Sequence, residues 1–349
     1  MNTRSSPAAW RQGSLLIAGS AAAVVLALGL AVVPKSAAQG WLLAFVFVSG
    51  IPIGSLVLLL IHRLTGGRWG VALAPVLAPA AAMVPFVAVV FLPLAFSLAG
   101  PYRWASDMSA LRPAVAHLYL NQPAFLLRAA IALIGWSLLA VFVVRGRCTM
   151  LMAGLGLVFH GVVISLVSVD WILSLDSRFS SSAFAATIAV QQILSALCFA
   201  AIAGPSRTQD QTTADLGGLI MASLLGTVYL GLMSFIVIWY GNLPDKAAWY
   251  LARERDGWQW VIVTALAIGA LLPLCLLLKQ SFRENSTVLR LIGGLILFGV
   301  FLHVLWLIAP AFVSDALTAA IIAMVALVGV GLGIFDLLAS RLRGGAHAE

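Results

Sequence analysis

Apolar residues fall in ten long runs separated by short polar interruptions, at 14–33, 38–61, 70–98, 123–144, 150–171, 183–203, 216–240, 258–278, 288–309 and 316–338. Each has about 20 residues or more, which as a helix rising 1.5 Å per residue crosses a hydrocarbon core of about 30 Å. In lipid each unpaired backbone group costs several kcal/mol, so runs of this length must be helical. The pattern predicts an all-α polytopic membrane protein of about ten transmembrane helices. An even number puts both termini on one side. The organisation expected is a short tail over 1–13, one membrane domain over 14–338 and a second tail over 339–349.

Composition agrees: 62% of the 349 residues are hydrophobic and 9% are charged, against about 25% charged in soluble domains. No stretch is polar and long enough to make a water-soluble domain. The first run follows Arg4 and Arg11 and precedes Ser36-Ala37-Ala38, so a cleaved leader over 1–38 stays open beside the helix reading. Its length favours the helix.

The net charge of +8 would suit nucleic acid if it formed a stripe, but Lys and Arg are scattered through short loops, so no nucleic-acid partner is expected. Counted by side, twelve lie with the termini and eight opposite, which points to cytoplasmic termini in a bacterial inner membrane. The longest loops, 99–122 and 241–257, then face outward. They carry Tyr102, Trp104, Tyr119, Trp249 and Tyr250, with Trp239, Tyr240 and Trp258 at the edges, the residue types of a membrane–water interface, and loops of this length usually dock something. Cys148, Cys198 and Cys275 form no CxxC or CxxCH and read as structural, with neither covalent haem nor an iron–sulfur cluster encoded. Prolines 75, 79, 85 and 93 should kink the third run, which either opens a cavity or serves packing.

Ionisable and amide groups within spans are costly and therefore candidates for function. The candidates are His160 mid-span, Asp170 at the end of the same run, Asp176 beyond it, Gln191 and Gln192, His303, Asp315, and Arg128 at the start of the fourth run. His160 and Asp170 are about 15 Å apart along a helix. They could begin and end a chain of waters, since an ordinary histidine exchanges protons near neutral pH. The same groups could accept a quinol hydroxyl. The alternative is that His160 and the glutamines make interhelical hydrogen bonds, and that Asp170 and Asp315 are solvated at the interface. His160 and His303 lie at different depths, which argues against haem b between them. No metal-ligand set and no catalytic group stands out.

Three stretches occur in order at predicted helix ends: Tyr119-Leu-Asn-Gln-Pro-Ala-Phe-Leu-Leu-Arg128; Asp170-Trp-Ile-Leu-Ser-Leu-Asp176 with Arg178-Phe179-Ser180-Ser181; and Tyr240-Gly-Asn-Leu-Pro-Asp245 with Trp249-Tyr250-Leu251 and Gly257-Trp258. Together they resemble the ActF membrane subunit of bacterial alternative complex III, a quinol:electron acceptor oxidoreductase. That subunit belongs to the NrfD/polysulfide-reductase membrane-subunit superfamily. The resemblance runs from about the second run to the ninth. It implies two four-helix bundles with two flanking helices and a sister ActC-like membrane subunit. It also implies an ActB-like iron–sulfur subunit and multihaem and monohaem cytochrome c subunits, whose haem c and clusters stay in those partners. Menaquinol or ubiquinol would bind near the outer face, with Arg128, His160, Asp170 and Trp171 as candidate contacts. The proton-path candidates would be His160, Asp170, Asp176, Gln192, His303 and Asp315. The Pro-His-Trp-like stretch common in that family reads Ser177-Arg178-Phe179 here, one candidate proton group fewer. A secondary transporter and a purely structural anchor of redox subunits are the alternatives.

Overall fold

The computed structural model describes residues 34–109, 111, 113–176, 179–204, 211–312 and 316–345. Among them nine helical segments are long and apolar enough to cross a membrane, and the chain is an all-α polytopic membrane protein. The span expected at 14–33, Asp315 and Arg178 lie outside the described residues.

The helices are α1 (Pro34–Thr65), α2 (Arg68–Ala81), α3 (Val84–Phe96), α4 (Pro113–Leu118), α5 (Gln122–Val144), α6 (Met150–Trp171), α7 (Phe184–Ala203), α8 (Gln211–Tyr240), α9 (Pro244–Leu251), α10 (Trp258–Leu266), α11 (Leu272–Leu278), α12 (Gln280–Arg283), α13 (Ser286–Ile308) and α14 (Ala316–Gly345). The last helix continues past the expected boundary at 338, so most of the anticipated tail is helical. α1, the α2–α3 pair, α5 and α6 close a four-membered ring of contacts. A second ring consists of α7, α8, the α10–α11 pair and α13. α1 packs on α7 to join the two rings, and α14 lies along α1.

Small residues set these close approaches. A Cβ on Gly40 would strike the α14 backbone at Ala319–Ala320, and one on Gly54 would strike the Gln192 carbonyl of α7. Gly269 and Gly299 likewise meet backbone to backbone. Gly269 sits in a π-helical turn, Ala267–Leu271, that joins α10 to α11. Pro273 follows it and cannot donate to the carbonyl of 269, the usual setting for a local departure from α geometry.

On α5 the exposed Leu127, Ile131, Ile134 and Leu138 form one stripe, and the buried Phe125, Ala129, Ala132, Trp136 and Ala140 form another. The stripes recur at helical spacing, so lipid takes the first and the bundle the second. The third run breaks at Ala82–Met83, just before Pro85, whose ring disfavours helical geometry at the residue before it. At the break Met83 is 6% exposed and lies near Gly331 of α14. This kink serves packing.

Candidate functional site

Helix polarity puts segments 97–121, 172–183 and 241–257 at one end of the bundle, hereafter the loop-rich face. The first segment folds back over the first ring. Tyr102 and Trp104 are 0% and 3% exposed, so they plug the bundle rather than line a membrane–water interface. Trp249 of the other long loop is buried as well. Tyr102 and Trp104 instead serve the end of α6. Tyr102 Oη donates to the Trp171 carbonyl (3.2 Å), and Trp104 Nε1 donates to Ser174 Oγ (3.2 Å), which donates to the Asp170 carbonyl (2.5 Å). The carbonyls left over at the end of α6 thus find partners.

The Tyr119–Arg128 stretch builds the other side. Asn121 caps α5 by accepting from the Ala124 amide (2.9 Å), and Gln122 Nε2 holds the Ala105 carbonyl (2.9 Å). Two turns into α5, Arg128 meets Asp170 in a two-pronged pair. Nε donates to Oδ2 (2.6 Å) and Nη2 to Oδ1 (3.0 Å). Nη2 also donates to the Tyr119 carbonyl (2.9 Å), and the guanidinium lies 4.0 Å from the centre of the Tyr119 ring. Asp170 is 1% exposed, which corrects the expectation of a solvated interfacial carboxylate. The pairing makes the burial affordable: a desolvated carboxylate persists beside an oriented guanidinium. Burial, aided by the Asp170 charge, holds the Tyr102 phenol well above its usual range. Burial first, and then the Asp170 charge, pushes the Tyr119 phenol up to about 12.

Trp171, next to the pair, stands in an aromatic cluster with Phe45 (4.9 Å), Phe91 (5.7 Å) and Trp136 (6.4 Å between ring centres). Behind it, among α1, α6, α7 and α13, lies a cavity of about 30 Å³ edged by Ser49, Ser168, Trp171, Gln191, Gln192 and Ser195. Ser168 Oγ, Trp171 Nε1 and Gln192 Oε1 are buried without a partner. The rest of the lining is apolar, including Val46, Ile164, Ile188 and Val304, and these three atoms suffice for about one water, which requires two to four such groups. Gln191 Oε1 is 3.1 Å from His303 Nδ1 on α13, an interhelical hydrogen bond of the packing kind.

His160 is set apart from all of these. It is 6% exposed, its ring lies 5.9 Å from that of Trp136, and neither ring nitrogen has a partner. It therefore makes no interhelical hydrogen bond. Of the expected site residues, Arg128, Asp170 and Trp171 come together, and Gln192 meets Trp171 across the cavity. Asp176 instead belongs electrostatically with Arg253.

Arg253 lies in the loop 241–257, yet it is 4% exposed. Nε donates to the Trp306 carbonyl (3.3 Å), Nη1 to that of Trp249 (3.1 Å) and Nη2 to that of Leu307 (3.0 Å). The guanidinium lies 3.5 Å from the centre of the Trp249 ring. Burial pulls its pKa down to about 10, against the opposing influence of Asp176 and Tyr250. The signal in the sequence was an arginine one helical turn after a tryptophan, in an aromatic loop.

Among the described residues no group of three or more metal-ligating side chains occurs, and the three cysteines are free. Fold and site define a multi-pass helical membrane protein whose loop-rich end encloses an ion pair and a carbonyl-bound arginine. Compared with family models and with curated proteins, the chain matches none.

Proposed function

We propose that the chain is the membrane subunit of a quinol:electron acceptor oxidoreductase of the alternative complex III kind, in a bacterial inner membrane with its loop-rich face outward. On this reading it does not catalyse electron transfer alone. It anchors an iron–sulfur subunit and cytochrome c subunits beside a sister membrane subunit, and it helps position quinol, menaquinol or ubiquinol, at that face. The observation that carries the reading is the convergence of the resembling stretches on one face. Tyr119–Arg128 and Asp170–Asp176 meet in the Arg128–Asp170 pair, and Trp249 with its neighbours encloses Arg253 nearby on the same end.

A cavity of about 30 Å³ does not admit a quinone ring, so quinol would meet this chain at its loop-rich surface and not in the interior. Arg128 and Asp170 act as positioning residues. They hold Tyr119 and the end of α6 in fixed register, the second-layer support that a shared site needs. The hydroxyl and amide groups at the cavity and, apart from them, His160 are the interior groups that a proton route would use. Toward the opposite face the buried polar side chains thin to Ser55, Thr213 and Ser286, so anchoring and positioning are better supported than proton transfer across the membrane.

The test is gentle purification of the tagged chain from its native membrane, with its visible spectrum and accompanying bands recorded. Haem c absorbance and iron–sulfur partners at fixed stoichiometry are expected. A colourless chain that purifies alone would sink the reading and bring transport forward.

A further inference from the structure

The two rings differ at the end away from the loop-rich face. At the first ring, the α1–α2 turn carries Arg63 and Arg68 and the α5–α6 turn carries Arg145 and Arg147, with no Asp or Glu in 60–70 or 144–150. All four are exposed, and among the described residues no ion pair or hydrogen bond engages their guanidinium groups. The ends bearing the two turns adjoin, since Leu60 of α1 and Leu139 of α5 both reach Gly156 of α6. At the second ring Arg283 and Arg290 are half-buried rather than exposed. Arg290 Nη2 donates to the Gly204 carbonyl (2.6 Å), Arg283 packs against Gly217, and Lys279 lies 4.8 Å from the Phe282 ring centre. Asp215 and Glu284 add carboxylates there.

The arginine pair on the α1–α2 turn is also held in place. Gly66 and Gly67 take positive φ values of 68° and 99°, which only glycine adopts freely. His62 Nδ1 is 3.1 Å from the Gly66 carbonyl, and its ring fills the space beside Gly70. From Arg68 a recess runs toward the hydrocarbon, lined by Gly67, Arg68, Val71, Ala72 and Pro75. Val71, about one turn deeper than Arg68, is 69% exposed.

Unpaired guanidinium groups at the membrane edge recognise phosphate in two-pronged fashion, and an apolar track leading from them into the membrane takes an acyl chain. We propose that this end of the first ring is a binding site for an anionic phospholipid. The phosphate would lie among Arg63, Arg68, Arg145 and Arg147, with one chain along Val71, Ala72 and Pro75. A soluble phosphate compound would use only the arginines and leave the track bare, so the bilayer is the source that fits both parts.

The experiment reconstitutes the full chain, with any subunits that purify with it, into nanodiscs of equal phosphatidylglycerol and phosphatidylcholine. The disc is then dissolved in mild detergent and the retained lipids are counted by native mass spectrometry. Retention should favour phosphatidylglycerol. An arginine at an anionic surface contributes about five-fold in affinity, so R68Q and R145Q should each cut the preference by about that factor. R63Q/R68Q/R145Q/R147Q should bring it to the bulk ratio. Replacing the four arginines with lysine keeps the charge and should retain part of the preference, which separates lost binding from lost folding. The proposal is overturned if the wild-type chain shows no preference, or if R68Q, R145Q and the four-fold glutamine variant all retain it. It is also overturned if inorganic phosphate alone strips the lipid.

Discussion

Arg128 and Arg253 solve one problem in two ways. Each sits at the loop-rich end of a different helical ring, and each lies over an aromatic ring, Tyr119 at 4.0 Å and Trp249 at 3.5 Å. Arg128 is neutralised at contact by a carboxylate. Arg253 is held at contact by three main-chain carbonyls, with Asp176 acting on it electrostatically. Carbonyl dipoles can replace water around a cation without cancelling its charge. A carboxylate cancels the charge but is itself costly once its partner leaves. The first arrangement therefore depends on both members, and the second on one residue and a shaped backbone.

The sharpest way to break this contrast is Asp170→Asn. It leaves a half-buried guanidinium, 14% exposed, without its counter-charge and should lower stability by about 3 kcal/mol. Thermal unfolding in detergent reads it, and Asp170→Asn with Arg128→Gln should recover much of the loss. A single variant that melts with the wild type would mean the pair is not the linchpin described. Next comes Arg253→Met, which strips the donors from the carbonyls of Trp249, Trp306 and Leu307 and should cost about 2 kcal/mol. Here no second substitution of a carboxylate should rescue it, whereas Arg253→Lys should rescue in part; full rescue by removing Asp176 would erase the contrast. Gln191→Leu leaves the His303 ring nitrogen without its partner and should cost about 1 kcal/mol by the same melting assay. No loss would show that water replaces the amide freely.

The smallest effect is in alkali. The Tyr119 phenol keeps its proton in the folded chain to about 12, while the unfolded phenol loses it near 10. Its contribution is complete below pH 10 and is lost as pH rises through 12. The ring is half in water, which keeps that contribution small. Tyr119→Phe should flatten this part of the pH–stability curve, and phenolate absorbance near the usual pKa would contradict the burial.

The membrane spans were legible because lipid imposes one rule on every residue of a run. Gln122–Val144, Met150–Trp171 and Phe184–Ala203 follow their apolar runs closely. The partners of Arg128 were not legible. That it would face Asp170, 42 positions away, depends on how two helices turn about their axes, which hydropathy does not encode. Tyr102 and Trp104 were misplaced for a related reason, since an aromatic in a loop looks alike whether it floats at the interface or folds back as a plug. The burial of Arg253 is not legible in sequence because a charge in a loop is ordinarily solvated. The three resembling stretches all fall at the loop-rich end of the molecule, though chain order alone could not say which residues would touch.

The contact of α1 with α14 through Gly40 and Ala319–Ala320 also constrains how the chain is made. About 250 residues separate the end of α1 from the start of α14, and at about 5–20 residues per second that is tens of seconds of synthesis. Throughout that interval the small-residue face of α1 waits in the bilayer for its last partner. A chain cut short before residue 316 would thus be inserted yet unfinished, its central helix open to any neighbour with a matching groove.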